Sequence, residues 1–132
     1  MLRDKLQKYR QQDYNCAETM LYAANEEYDM DLDKQTLKTM AGFGGGMGVE
    51  SVCGAITGCL ATLSIMFTVQ RGHESDRLKD LCIEFFDKFK AKLGTDNCTK
   101  LKKSYKTDQA GCSLMLETAA DILDEIVKRE TA

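Results

Sequence analysis

The stretch GFGGGMGVESVCGAITGC, residues 42–59, joins a glycine-rich loop to an uncharged segment that continues to Gln70. A glycine inside a helix costs about 0.5–1 kcal/mol relative to alanine, so glycines at this density are expected to serve the structure. The uncharged segment is about as long as a membrane span, but it contains several Ser, Thr and Gly residues and lacks a Lys/Arg-rich flank. We therefore interpret residues 51–71 as the buried central helix of a bundle, with Ser51 as its N-cap, and expect no membrane span.

The segments around this helix show the spacing and the capping residues of further helices. Asn15 and Glu18 form the pattern of a capping box, and Asp33 is a second candidate N-cap. The chain has no proline and no alternation typical of a strand. Further helices are predicted over residues 2–12, 15–28, a short segment after Asp33, 73–93, 97–103 and 111–129. The predicted fold class is all-α, with one domain over residues 1–132 and a compact bundle of about five to six helices around the glycine-containing helix.

Charge and composition restrict the classes of partner. The net charge of −3 and a pI of about 5.2 argue against a nucleic-acid partner. The lysine-rich KLKKSYK at 100–106 is interpreted as a solvated face or loop. The N-terminal segment lacks the apolar core of a signal peptide, which predicts a cytoplasmic location. In that reducing compartment, the six cysteines are expected to be metal ligands, redox groups or core residues rather than permanent disulfides.

The glycine-rich loop does not match the phosphate-binding motifs. Gly48 is followed by Val49 and Glu50, where a P-loop requires lysine, and G-x-G-x-x-G fits no register. We expect the glycines to act structurally instead, by giving the central helix a flexible start and by keeping it slim. Neighbouring helices can then approach it closely, either within the chain or across a homodimer. The glycines of this structural motif are Gly44, Gly45, Gly46, Gly48, Gly54 and Gly58.

The six cysteines fall into two groups. Cys82 lies on the apolar stripe of an amphipathic segment and Cys59 lies inside the central helix, so both are expected to be core residues. The other four fall in the first turn of a predicted helix, where the partial positive charge of the helix end favours a thiolate. They are Cys16, Cys53, Cys98 and Cys112. This shared placement makes them the candidate catalytic or cofactor-binding residues.

Two chemistries remain open for these four cysteines, because no C-x-x-C pair is present and the fold must bring them together. They could ligate an iron–sulfur cluster or zinc. They could also cycle between dithiol and disulfide without a cofactor. A third hypothesis treats them as incidental, in a helical interaction module. His73, the only histidine, is expected to be a solvated turn residue.

The motifs resemble those of the redox-active family named C_GCAxxG_C_C. The similarity runs from Cys16 in NCAETML, through CGAITG after GFGGGMG, to Cys112 in GCSLMLETAADIL. The family label orders Gly-Cys-Ala, whereas this chain reads Cys53-Gly54-Ala55. The resemblance implies a redox role. The family cysteines that it implies are the same four that the predicted helix ends select. It names no substrate, and leaves the redox partner open as either a protein or a small thiol. A related domain occurs in a cytochrome with an iron–sulfur site, which supports the cluster hypothesis.

Overall fold

The computed structural model describes residues 1–132 and is built from helices without a sheet, which confirms the predicted all-α class. The α-helices are α1 (Leu6–Arg10), α2 (Cys16–Glu27), α3 (Lys34–Lys38), α4 (Gly54–Phe67), α5 (Asp76–Leu93), α6 (Cys98–Tyr105) and α7 (Ser113–Glu130). Short 3-10 turns span Leu2–Lys5, Thr39–Phe43 and Gly72–Glu74. Five of the helices are eight residues or longer, in line with the predicted five to six.

Local capping fixes most of the helix ends where the sequence predicts them. The Asn15 side chain accepts the amide of Glu18, and the Glu18 carboxylate accepts the amide of Asn15, so the capping box is present. Asp33 caps α3, and Gly94 ends α5 in the left-handed conformation with φ 88°. Gly44 lies directly against the first cap, because a Cβ placed there would be 2.1 Å from Cγ of Asn15.

The central helix is shorter than predicted. The sequence predicts a helix over 51–71, but α4 runs from Gly54 to Phe67. Ser51 is not its N-cap, since the Ser51 carbonyl accepts the amide of Cys98 at 2.6 Å and holds this segment outside the helix. At the other end, Thr68 turns to an extended conformation and stops the helix. No helix in the structure is both long enough and apolar enough to span a bilayer.

The core forms where α4 packs against α2, α5 and α7. Gly58 allows α4 to approach α2 closely, because a Cβ at that position would lie 2.6 Å from the carbonyl oxygen of Ala17. Gly54 makes a similar approach, with a Cβ there 3.1 Å from Cβ of Cys16. The predicted close packing at these two glycines is therefore found within the chain. It brings the N-terminal end of α2 beside the N-terminal end of α4.

A buried carboxylate fastens the N-terminal segment to the bundle. Asp124 of α7 is almost fully buried, and it accepts the amide of Leu2 at 2.9 Å and the hydroxyl of Tyr28 at 2.6 Å. Leu2 and Leu6 pack into the core next to this carboxylate. Hydrogen bonds of this kind compensate the cost of burying a charge. They also fix α1 beside α7, which matters for the arginine at the end of α1.

Candidate functional site: a four-cysteine cluster

The four candidate cysteines lie at the N-terminal ends of four different helices. Cys16 and Cys98 are the first residues of α2 and α6. Cys53 and Cys112 occupy the N-cap positions of α4 and α7, one residue before the predicted first turn. The helix ends therefore present free amide groups and a partial positive charge close to each thiol. All six cysteines of the chain are free thiols in this structure.

A short antiparallel bridge brings Cys53 and Cys98 together, although they are far apart in sequence. The amide of Cys53 donates to the carbonyl of Asp96 at 2.9 Å, and the amide of Cys98 donates to the carbonyl of Ser51 at 2.6 Å. The two cysteines thus flank the bridge on opposite chain segments. Each is buried, with 5% of its surface exposed. They form the inner half of the cluster.

The glycine-rich loop covers the inner half of the cluster. Four successive residues adopt left-handed backbone conformations, Gly45, Gly46, Met47 and Gly48, with φ between 61° and 77°. Gly46 is required there, since a Cβ would lie 2.8 Å from Cβ of Cys98. Met47 has a Cβ, which disfavours the left-handed conformation, so this residue carries a strain of about 1–2 kcal/mol. Gly46 therefore allows the loop to approach Cys98 closely.

Cys16 and Cys112 form the outer half of the cluster, and both are half-buried. The side-chain interaction with the Cys16 thiol is the main reason that the pKa of Cys112 falls to about 6. Lys106, Arg10 and Lys102 lower the same pKa by their charge, while burial opposes them. The pKa of Cys16 moves in the opposite direction, because its proton is held in the hydrogen bond to Cys112 and burial disfavours its anion. The pair therefore holds one thiolate and one thiol near neutral pH.

The cations around the outer pair come from separate elements. Nη1 of Arg10, at the end of α1, lies 3.9 Å from Sγ of Cys16. Lys106 follows α6 and approaches Cys112 across a closed turn, in which Thr107 and Gly111 exchange backbone hydrogen bonds of 2.8 and 3.2 Å. Lys106 and Cys112 occupy the next facing positions after that pair, as in an antiparallel ladder. The fold thus places positive charge on both sides of the thiol pair.

Burial sets the protonation of the inner pair. It raises the pKa of Cys53 to about 11, although the nearby amides of Ala55 and Ile56 partly oppose it. Burial likewise raises the pKa of Cys98, with an opposing contribution from Lys102. A charge on Cys112 would raise the pKa of both inner cysteines further. The four thiols are therefore one electrostatically coupled group, in which Cys112 ionises first.

The arrangement does not fit a metal centre. No group of three or more His, Cys, Asp or Glu side chains is placed to hold a metal ion. A zinc site needs four ligands around one point, with sulfurs about 2.3 Å from the ion. The only histidine, His73, is exposed in the Gly72–Glu74 turn and supplies no further ligand. As placed, the four cysteines therefore do not form a ready set of ligands around one point.

The remaining two cysteines lie outside this group. Cys59 is fully buried, its sulfur lies 3.9 Å from the carbonyl oxygen of Ala119, and burial raises its pKa well above the ordinary value. This confirms Cys59 as a core residue. Cys82 is half-buried on α5 and packs against the edge of the core, so its burial is less complete than predicted.

The sequence interpretation missed the cations of the site. Most of the lysine-rich segment 100–106 is exposed, as the sequence predicts, and in addition Lys102 and Lys106 lower the pKa of the Cys112 thiol. A usable signal lies in TDQAG at 107–111, because a tight turn there would place Lys106 opposite Cys112. Arg10 had no such signal, since its position depends on how α1 docks on α7.

Comparison with known proteins gives one family. The family model described as "Putative redox-active protein (C_GCAxxG_C_C)" matches residues 14–126 of the 132. That range contains all four cysteines of the cluster and both bridge segments. No curated protein and no solved structure matches the chain.

Proposed function

This chain belongs to the C_GCAxxG_C_C family, whose description names redox activity, and from that premise we propose that it is a thiol–disulfide oxidoreductase. The observation that carries the proposal is the opposite shift of two neighbouring thiols beside Arg10: the pKa of Cys112 falls to about 6, whereas the pKa of Cys16 rises. An attacking thiol works best when its pKa lies near the ambient pH. Cys112 meets that condition and is half-exposed, so it is the attacking residue, and Cys16 is the resolving residue.

In the first step, the Cys112 thiolate attacks one sulfur of a substrate disulfide, RSSR. A bond forms between Cys112 and that sulfur, the S–S bond of the substrate breaks, and one RS⁻ leaves with the bonding electron pair. The leaving thiolate takes a proton from solvent. The charge of Lys106 and Arg10 stabilises the thiolate that starts this step. The product is a mixed disulfide between Cys112 and R.

In the second step, Cys16 resolves the mixed disulfide. Once Cys112 is bonded to R, the interaction that raised the pKa of Cys16 most is gone, and Arg10 then favours the Cys16 thiolate against the opposing effect of burial. Cys16 loses its proton, attacks the Cys112 sulfur and releases the second RS⁻. The substrate disulfide is reduced to two thiols, and the Cys16–Cys112 dithiol is oxidised to a disulfide. The same steps in reverse oxidise a substrate dithiol.

The inner pair extends the same chemistry. We propose that Cys53 and Cys98 exchange with the outer disulfide, so that the inner dithiol is oxidised while Cys16 and Cys112 return to thiols. The support is the electrostatic coupling of Cys53 to the other three and the bridge that holds Cys98 beside it. A reducing compartment such as the cytoplasm would keep all four reduced between reactions.

Single-cysteine variants test the proposal with hydroxyethyl disulfide as the oxidant. C112S should lose the fast reaction, because serine gives no thiolate at neutral pH. C16S should stop at the mixed disulfide, which adds the mass of one substrate half. C82S is the matched control and should react as the unmodified chain does.

Two results would overturn the proposal. One is C112S reacting as fast as the unmodified chain. The other is anaerobic purification that yields a chain with an iron–sulfur cluster or zinc in stoichiometric amount, lost in C16S and C112S. That second result would support the hypothesis that the same four cysteines ligate a cluster or zinc.

A further inference from the structure

We infer that the disulfide taken by Cys112 is a small anionic one, a low-molecular-weight disulfide that carries carboxylates. The inference rests on the proposed function, because it names the substrate class of the same thiol pair. It depends on two cations beside the pair, Arg10 and Lys106. Neither of them forms an ion pair with a carboxylate of the chain, although ten other cationic groups do, counting the amino terminus.

The backbone position of Lys106 is fixed by the turn that follows it. The turn between Thr107 and Gly111 is closed by two backbone hydrogen bonds, so Lys106 and Cys112 face each other at its neck. Lys106 is exposed, and no carboxylate lies within ion-pair distance of it. Its ammonium group is therefore free to meet an anion that approaches the Cys112 sulfur.

Arg10 approaches the pair from the end of α1, whereas Lys106 follows α6. Its guanidinium donates to the carbonyl of Tyr14 at 3.0 Å and lies 3.9 Å from Sγ of Cys16. The bond to Tyr14 orients the group but leaves its positive charge uncompensated. A small cavity of about 50 Å³ lies beside it, lined also by the ion pair of Arg3 and Glu117 and by Ser113, the residue after Cys112. This cavity has room for one small polar group beside the Arg10 guanidinium.

The rest of the molecule argues against a general attraction for anions. The chain carries a net charge of −3, so its overall field repels them. Lys102, the third cation near the pair, is already paired with Glu50 at 3.1 Å. Attraction of an anionic substrate must therefore come from Arg10 and Lys106, which lie on the two sides of the reacting sulfurs. The substrate disulfide is reduced to its two thiols by the two steps given above, with Cys16 and Cys112 as the electron donors.

The test compares two disulfides in the same protein. Glutathione disulfide carries carboxylates, and hydroxyethyl disulfide is neutral. The quantity measured is the ratio of their second-order rate constants with the reduced chain, followed by mass spectrometry of the Cys112 adduct. Because both rates depend equally on the Cys112 thiolate, the ratio removes any change in its pKa. Raising the salt concentration should lower the ratio, since exposed charges are screened.

The double variant R10Q/K106Q removes the two unpaired cations, and K100Q/K103Q removes two exposed lysines of α6 as the matched control. The ratio should fall about two- to fivefold for each cation removed in R10Q/K106Q, the size expected of an exposed charge pair. It should stay unchanged in K100Q/K103Q. An unchanged ratio in R10Q/K106Q, with both disulfides still reacting at Cys112, would overturn this inference alone. Failure of the unmodified chain to react with either disulfide would overturn the proposed function as well.

Discussion

Replacing Gly58 by alanine should destabilise the bundle, because this position sets the distance between α4 and α2. The added Cβ would lie 2.6 Å from the carbonyl oxygen of Ala17 and 2.7 Å from Cβ of Met20. Neither atom can rotate away, so the two helices must separate. Overpacking of a core by one carbon costs about 1–3 kcal/mol, and a backbone contact places this site near the upper value. Alanine returns about 1 kcal/mol through its better helix propensity. The net loss in the free energy of unfolding should be about 2 kcal/mol.

Equilibrium unfolding in urea, followed by far-UV circular dichroism, measures this loss. Gly42→Ala is the matched control, because nothing lies within 4 Å of a Cβ at that glycine. Its free energy of unfolding should change by less than about 0.5 kcal/mol, as for most surface substitutions. If Gly58→Ala were as stable as Gly42→Ala, the packing of α4 on α2 would not be as close as described, and the approach of Cys16 to α4 would lose its basis.

Three further predictions concern the thiol pair and the buried carboxylate. Alkylation of Cys112 by iodoacetamide should reach half its maximal rate near pH 6, measured by peptide mass spectrometry, whereas a midpoint above pH 8 would contradict the described thiolate. The pKa of Cys112 in the folded chain lies below that of an unfolded cysteine, about 8.5. The Cys112 thiolate therefore adds to the free energy of unfolding, fully above about pH 8.5, and this contribution is lost as the pH falls through 6. Cys16→Ala should raise the Cys112 midpoint, because the main hydrogen bond that lowers it is removed; an unchanged midpoint would assign the effect to the cations alone. Asp124→Asn should lower the free energy of unfolding by about 1–3 kcal/mol, because it weakens the bonds from Leu2 and Tyr28 to a buried group; urea unfolding that matches the unmodified chain would contradict this.

The local features of this fold could be predicted from the sequence because short-range contacts decide them. The capping box at Asn15, the cap at Asp33 and the stop at Gly94 depend on residues within one helical turn. The start of the central helix could not be predicted in the same way. Ser51 looks like an N-cap in the sequence, but its carbonyl is held by the amide of Cys98, and that pairing exists only in the folded chain.

The candidate site shows the same division between local and tertiary information. Helix-end placement separates the four cysteines of the cluster from Cys59 and Cys82, and that depends on local signals. Which cysteines lie near each other depends on how the helices dock, and spacing alone cannot choose among the three possible pairings of four cysteines. The neighbouring cations Arg10 and Lys106 also come from separate elements. Charge patterning along the sequence could not place either of them beside a sulfur.

The most direct test of the account identifies which disulfide forms first. The reduced chain is treated with one equivalent of hydroxyethyl disulfide, the remaining thiols are alkylated, and the linked peptides are identified by mass spectrometry. We expect a disulfide between Cys16 and Cys112, with Cys53 and Cys98 alkylated. A first link between Cys53 and Cys98, or between two chains, would contradict the claim that Cys16 and Cys112 are the reactive pair.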